Sequence, residues 1–380
     1  MKAPLATFWS RVGPSSILLR QPDFDISPHF YIVKTKVLQC ITYIASSCIA
    51  CYTHFGIYEQ LKSSFCRIDR GSVMVVNSLV HVNECGLPLN AIEWLETHHA
   101  SKAREREQMI RDLHLKAGSF VVDAGCGPGL WTPLLARALG PKGRIIGVDI
   151  SAEALVTAQR RSQGKSYRHQ VQYKCAALEQ LPIAPGSADA IFSANVSQYL
   201  PEPVNTFAAM GNYLADGGRI VIKDIDFGTM RFYNVDADLQ TRVLHAREDW
   251  ERVRVQEGYA FEDSWVGSKL AGYLRAAGYE NVQEKSYRIL RKYPLPENFR
   301  FYLQGIAQWF VCEGAPFLSN DDTQRWLQCF LDGPHNVLDQ ETFLSEETEY
   351  IVTAVWRNRP SSTVRYFDLH HMHLQPQAAI

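Results

Sequence analysis

Three glycines, Gly125, Gly127 and Gly129, follow the short run Val121-Val122-Asp123-Ala124, and a second apolar run, Arg144-Ile145-Ile146-Gly147-Val148, ends on Asp149. This pattern predicts a strand, a glycine turn, a helix and a second strand, with an acid at the second strand's end. Glycines let the backbone turn tightly and approach a ligand with no Cβ in the way, and the helix that follows offers free N–H groups. Asp149 stands twenty residues beyond Gly129, where a carboxylate can take both hydroxyls of a ribose. The chemistry indicated is recognition of an adenosine-containing cofactor.

The glycine spacing narrows the cofactor. A dinucleotide loop reads G-x-G-x-x-G and faces a pyrophosphate. Here the pattern is D-x-G-x-G-x-G, with Asp123 at the end of the first strand. A carboxylate there repels a pyrophosphate and supports a cationic amino-acid ammonium, directly or through water. These residues resemble the class I S-adenosylmethionine-dependent methyltransferases, in which this loop holds the methionine part of the cofactor. The resemblance continues in order through Gln172 to Ala176 as a third strand and Leu178-Glu179-Gln180-Leu181-Pro182 as an adenine-contacting loop. Ala188 to Asn195 follows as strand four, then Val196 to Pro201, then the Leu214 to Ile222 turn and strand five. In pattern it is nearest to small-molecule methyltransferases related to those of ubiquinone and menaquinone biosynthesis, over about Ala100 to Leu290.

The resemblance implies a Rossmann-like, doubly wound α/β fold with a mostly parallel seven-stranded sheet and helical lid insertions. It implies S-adenosyl-L-methionine as cofactor, held by Asp123, Gly125, Cys126, Gly127, Gly129, Asp149, Ile150, Leu178, Glu179, Asn195 and Gln198. One departure stands out: the family often carries an acid just before the adenine loop, and Ala177 occupies that position. Adenine recognition then falls to backbone groups around Leu178, to Glu179, or to apolar packing.

Around these residues the chain alternates strands and helices, which predicts a parallel sheet covered on both faces. Lys102 to Leu115 places Met109, Ile110 and Leu113 at helical spacing; Thr132 to Leu139 is helical; Ser151 caps a helix running to Arg161. Ser264 to Ala277 reads as a helix, Val282 to Leu290 as strand six and Glu349 to Trp356 as a closing strand. The expected domain runs from 74 to 357, with insertions at 227–263 and 294–345. Both insertions leave the sheet edge where ligands bind in such folds, so both are expected to build an aromatic-rich lid over the transferring methyl group. That lid suits a small, apolar or aromatic acceptor. Candidates for a base are His245, Tyr199, Asp226 and Asp224, the two aspartates sharing one face if strand five continues through them.

Composition bounds the alternatives. The chain has 380 residues, 46% of them apolar, with 39 basic and 40 acidic side chains, so no overall field draws in a polyanion. The basic stretch Arg160, Arg161, Lys165, Arg168, His169 carries a single aromatic, Tyr167, and reads as a solvated face, not a nucleic-acid site. Nine scattered cysteines suggest free thiols, including the Cys48–Cys51 pair; Cys126 reads as a small packed residue. Val37 to Tyr58 is long enough to cross a bilayer but is interrupted by polar residues, so residues 1–73 are expected to form an extension and a membrane anchor is disfavoured. His370, His371 and His373 lie in a polar tail, 358–380, with one nearby carboxylate, so no metal site is expected. The expectation is a cytoplasmic methyltransferase acting on a small molecule. The alternative is a methyltransferase-like binding or scaffold protein without turnover.

Overall fold

The computed structural model describes residues 83, 86–331 and 333–357, together with the backbone of a hairpin, β1 (Phe65–Ile68) and β2 (Ser72–Val75). The apolar run at 37–58, the Cys48–Cys51 pair and the histidine-bearing tail lie outside the described residues. The expected domain start at 74 falls inside β2, which pairs antiparallel with β1. That boundary therefore cuts a hairpin.

The rest is built on one seven-stranded sheet. Its strands are β3 (Phe120–Ala124), β4 (Arg144–Asp149), β5 (Val171–Cys175), β6 (Ala188–Ala194), β7 (Leu214–Phe232), β8 (Glu280–Lys292) and β9 (Leu344–Val355), in the order β5-β4-β3-β6-β7-β9-β8. Pairings from β5 to β7 are all parallel; β9 inserts antiparallel between β7 and β8. The sheet begins at β3, winds outward through β4 to β5, and returns to β6 on the other side. The strand order therefore reverses between β3 and β6, and a crevice opens there at the strands' carboxyl ends. Doubly wound α/β architecture is as expected.

Helices cover both faces. α1 (Ile92–Ser101) and α2 (Ala103–Asp112) precede the sheet; α3 (Thr132–Leu139), α4 (Ala152–Ser162), α5 (Pro203–Gly211) and α7 (Leu270–Ala276) alternate with strands. Successive residues of β3 point to opposite faces. Phe120, Val122 and Ala124 pack with Phe207 of α5 and Leu274 of α7, whereas Val121 packs with Met109 of α2 and Leu135 of α3. Ser151 caps α4 as expected, accepting from Ala154 N at 3.0 Å. The helix expected at 264–277 is shorter, a 3₁₀ turn at Gly267–Lys269 running into α7.

The insertions form a third layer: α6 (Ala237–Val253), α8 (Glu297–Gly314) and α9 (Asn320–Phe330), with Trp309, Phe310 and Trp326 fully buried among them. The first insertion starts later than expected, because β7 does not stop at Ile222. It pairs with β9 as far as Phe232↔Ser345, with its register broken between Asp226 and Arg231. Thr229 Oγ1 bridges that break, donating to Asp226 O at 2.7 Å and accepting from Thr348 N at 2.9 Å. α1 joins this layer too. Gly305 of α8 faces the Trp94 ring so closely that any Cβ would collide with it. Among the described residues, no helix is long and apolar enough to cross a membrane.

Candidate active site

The glycine loop leaves β3 and folds back onto β4. Gly125 N and Cys126 N both donate to Val148 O, at 2.7 and 3.0 Å. Gly125 adopts φ +72°, and a Cβ there would strike the Val196 side chain, so only glycine fits. Gly127 and Gly129 also have positive φ, +51° and +73°. Cys126 is buried, and burial pushes its thiol well above the ordinary range, as suits a packed small residue. Asp149 steadies the loop: its Oδ2 accepts from Gly127 N at 2.7 Å and its Oδ1 from Ser151 N at 2.9 Å. A carboxylate oxygen can accept more than one hydrogen bond, so this position suits a ribose hydroxyl.

Asp123 lies beneath this loop, 1% exposed, and accepts from Thr132 Oγ1 at 3.1 Å. Burial lifts its pKa to about 7, with the Asp149 charge adding to the rise. A buried carboxyl with one neutral partner is matched by a cation arriving above it. Beyond Asp149, Ile150 is 51% exposed, an apolar surface at the strand end. Leu178 is buried in a 3₁₀ turn, whereas Glu179 turns aside to accept from Thr206 Oγ1. The loop, Asp123, Asp149 and Ile150 fit an amino-acid nucleoside: an ammonium over Asp123, a ribose at Asp149, an adenine against Ile150.

Asn195 and Gln198 follow β6, and the structure places them together with Tyr199 on the wall of a small cavity. Opposite them stand Trp94, Leu95 and His98 of α1, Tyr302 and Ile306 of α8, and Ile225 and Phe227 of β7. Its volume is about 20 Å³, little more than a water molecule needs. α1 thus roofs this cavity and touches the cofactor loop. Leu95 packs over Gly127, and Arg161 pairs with Glu96 while donating to Pro128 O at 3.0 Å.

A buried ionic cluster adjoins the cavity. Lys102 Nζ lies 2.9 Å from Glu347 Oε2, 3.1 Å from Glu349 Oε1 and 3.1 Å from Tyr302 Oη. Lys223 Nζ meets Glu349 Oε1 at 2.8 Å and Asn195 Oδ1 at 2.6 Å. Burial would raise the pKa of Glu349, but Lys102 and Lys223 outweigh it and hold the carboxylate well below its ordinary range. Burial draws Lys223 down to about 8 against the pull of Glu349. His98 and His99 are kept neutral, by burial first and then by the cations Lys102 and Arg106 for His98 and by Arg106 for His99.

The expected bases fare differently. Tyr199 donates its hydroxyl to Pro88 O at 2.8 Å, and burial, with Glu262 and Asp224 nearby, holds its proton well above the ordinary range. It latches the segment before α1 and is not poised as a base. Strand β7 does continue through Asp224 and Asp226, so they share a face, but each serves the backbone. Asp224 accepts from Ser197 N and Ile225 N, Asp226 from Gly228 N and Ser268 N. His245 stands exposed on α6, whose buried stripe is Leu239, Val243, Ala246 and Trp250. The structure does not bring it to the cavity. Sequence reasoning missed α1 altogether, although Trp94, Leu95 and His98 fall at helical spacing. It also missed Glu347 and Glu349, which alternate along β9 as solvent-facing residues do.

A doubly wound sheet with a glycine loop at its switch point and an acid at the end of the next strand defines a nucleoside-type cofactor site. Residues 115–286 match the family described as a methyltransferase domain. The chain is 26% identical, over 69% of its length and 70% of the relative's, to an uncharacterized 37.1 kDa protein in transposon Tn4556 of Streptomyces fradiae. It is 24% identical to the demethylmenaquinone methyltransferase of Staphylococcus carnosus, over 48% of this chain and 76% of that one. It is 31% identical to the malonyl-[acyl-carrier protein] O-methyltransferase of Marinomonas sp. MWYL1, over 33% of this chain and 44% of that one. Residues 115–286 carry a methyltransferase domain, and the glycine loop with Asp123 and Asp149 fits S-adenosylmethionine.

Proposed function

We propose that the protein transfers a methyl group to a small organic acceptor with an apolar or aromatic body, in a cytoplasmic setting and without a nucleic-acid partner. The observation that carries this is the cavity at the carboxyl ends of β6 and β7, walled by Leu89, Trp94, Phe227, Tyr302 and Ile306 beside the cofactor loop. Walls of this kind recognise a ligand by shape and apolar surface, with a few polar groups fixing its orientation. Relatives named as a demethylmenaquinone methyltransferase and a malonyl-[acyl-carrier protein] O-methyltransferase support a non-nucleic-acid acceptor. Bound S-adenosylmethionine supplies a methyl group on a sulfonium, already electrophilic. The chain's own tasks are to hold the acceptor in line and to exclude water. α1 does the second, and the Tyr199–Pro88 and Arg161–Glu96 links hold it closed. An acceptor larger than the cavity enters as these links open.

The test is incubation with methyl-labelled S-adenosylmethionine and a panel of quinone, phenol, amine and polyketide acceptors. Label appearing in one class supports the proposal. Tight cofactor binding with no transfer to any of them would sink it in favour of a non-catalytic scaffold.

A further inference from the structure

Two residues that line the acceptor cavity each carry a buried polar atom with no hydrogen-bond partner: His98, its Nε2, on the covering helix, and Gln198, its Oε1, on the sheet side. Both residues are more than nine-tenths buried, at 8% and 5% exposure. Glu349 Oε1 stands 3.8 Å from His98 Nε2, too far for a hydrogen bond. An unpaired buried polar atom costs about 1 to 3 kcal/mol, so two on one small cavity mark where a ligand supplies what the protein leaves out. A neutral imidazole with its proton on Nδ1 accepts at Nε2, and the amide oxygen only accepts. The ligand that satisfies both brings two donors.

Charge then selects the donors. Lys102 at the junction of α1 and α2, Arg106 of α2 and Lys223 of β7 face this region, answered by Glu347 and Glu349 of β9 and by Asp224 of β7. Two nitrogens of Arg106, Nε and Nη2, have no partner, and its guanidinium lies over the Trp131 ring. An ammonium entering here would meet these cations as well as the sulfonium of the cofactor, whereas a neutral hydroxyl would not. A carbon acceptor brings no donor at all.

We propose, on the basis of the methyltransferase reading above, that the acceptor is an aromatic or apolar molecule bearing two hydroxyls. One donates to Gln198 Oε1; the other donates to His98 Nε2 and is methylated on oxygen. As the new O–CH₃ bond forms, the S–CH₃ bond breaks and its electron pair stays on sulfur. The hydroxyl proton passes to His98 Nε2, Glu349 faces the resulting imidazolium, and the proton leaves to water with the products. Burial, Lys102 and Arg106 make His98 a weak base. A weak base suffices, because the oxygen becomes an oxonium as the methyl arrives and is then a far stronger acid than imidazolium. The same weakness keeps His98 neutral and ready to accept at neutral pH.

The test uses the full chain with S-adenosylhomocysteine for binding and S-adenosylmethionine for turnover, and 4-ethylcatechol, ethylbenzene and 4-ethylbenzylamine as probes. Calorimetry is expected to show 4-ethylcatechol binding at least about tenfold more tightly than the other two, as one net hydrogen bond provides. Mass spectrometry is expected to find the methyl on oxygen. Gln198→Leu should raise KM about tenfold with a smaller change in kcat. His98→Gln, which keeps polarity but takes no proton, should leave S-adenosylhomocysteine and catechol affinities within about twofold and lower kcat about 100- to 10,000-fold. Retained S-adenosylhomocysteine affinity shows that each variant is folded. Equal affinity for the three probes, a methyl on carbon or nitrogen, or full turnover in His98→Gln overturns this inference while leaving the methyltransferase reading intact. Cofactor binding with no transfer to any class in the wider panel overturns that reading instead.

Discussion

Asp123 should make cofactor binding depend on pH. Its carboxyl lies under the glycine loop with Thr132 as its hydrogen-bond donor, and burial lifts its pKa from the ordinary 3.8 to about 7. A group whose folded pKa exceeds its unfolded value contributes stability that is full below the unfolded value and lost as pH rises through the folded one. The cofactor-free protein is therefore strained by Asp123 at pH 8 and not at pH 4, by at most about 4 kcal/mol at 1.36 kcal/mol per pKa unit. An ammonium settling above the carboxylate reverses this preference and expels the proton. Between about pH 5 and about pH 7, affinity for S-adenosylmethionine should then rise by up to about tenfold per pH unit, with about one proton released per molecule bound. Above about pH 8 the cofactor's own α-amino group loses its charge and the gain ends. Asp224 and Glu251 also titrate at about 7, both lifted by burial, so the slope alone assigns nothing. The difference made by Asp123→Asn does. Calorimetry in buffers of different ionisation enthalpy should find the proton release lost in that variant and affinity at pH 7.5 lower by about 10- to 150-fold. The cofactor-free variant should melt above the wild type at pH 8. Unchanged proton release in Asp123→Asn would refute the reasoning.

Other substitutions separate the cofactor loop from the lid. Asp149→Ala removes the acceptor for Gly127 N and Ser151 N as well as the ribose partner, and should weaken S-adenosylmethionine binding by about 1.5 to 3 kcal/mol; calorimetry giving the wild-type affinity would exclude Asp149 from the site. Gly305→Ala drives a methyl into Trp94 and should cost about 1 to 3 kcal/mol, read as a lower urea midpoint at constant m-value, with cofactor affinity retained because the loop is built elsewhere. Glu349→Gln leaves Lys102 and Lys223 without their shared carboxylate and should cost about 3 to 5 kcal/mol. An unchanged midpoint there would mean that the cluster is more hydrated than its burial indicates.

The cofactor half of the site was legible because its residues are close in sequence. Asp123, the three glycines and Asp149 lie within 27 residues, and each contributes through a local geometry that residue type dictates: a positive φ, a strand end, a helix start. The acceptor half is assembled from distant pieces. His98 lies near Glu349, 251 positions along the chain, and that carboxylate sits on a strand whose Ser345, Glu347 and Glu349 alternate inward where alternation ordinarily marks a solvent face. No periodicity distinguishes a polar stripe facing water from one facing buried lysines. β7 eluded the pattern for another reason: the break at Gly228 and Thr229 shifts its apolar residues from 225 and 227 to 230 and 232, so the alternation ends where the strand does not.

His245 is the opposite case, because the sequence contained the evidence against it. Leu239, Val243, Ala246 and Trp250 recur at the helical period, and a residue two positions after Val243 falls about 200° around the helix from it, on the far face. A histidine's ordinary pKa made it a chemical candidate, but the stripe had already turned it to solvent. The same geometry applied to Trp94 and His98, four residues apart, puts both on one face of α1, and the structure buries both, with Lys102 buried just past the helix's end. Residue type proposes chemistry, and the face of the helix decides whether it reaches the acceptor. His98 therefore replaces His245 as the histidine on which turnover should depend.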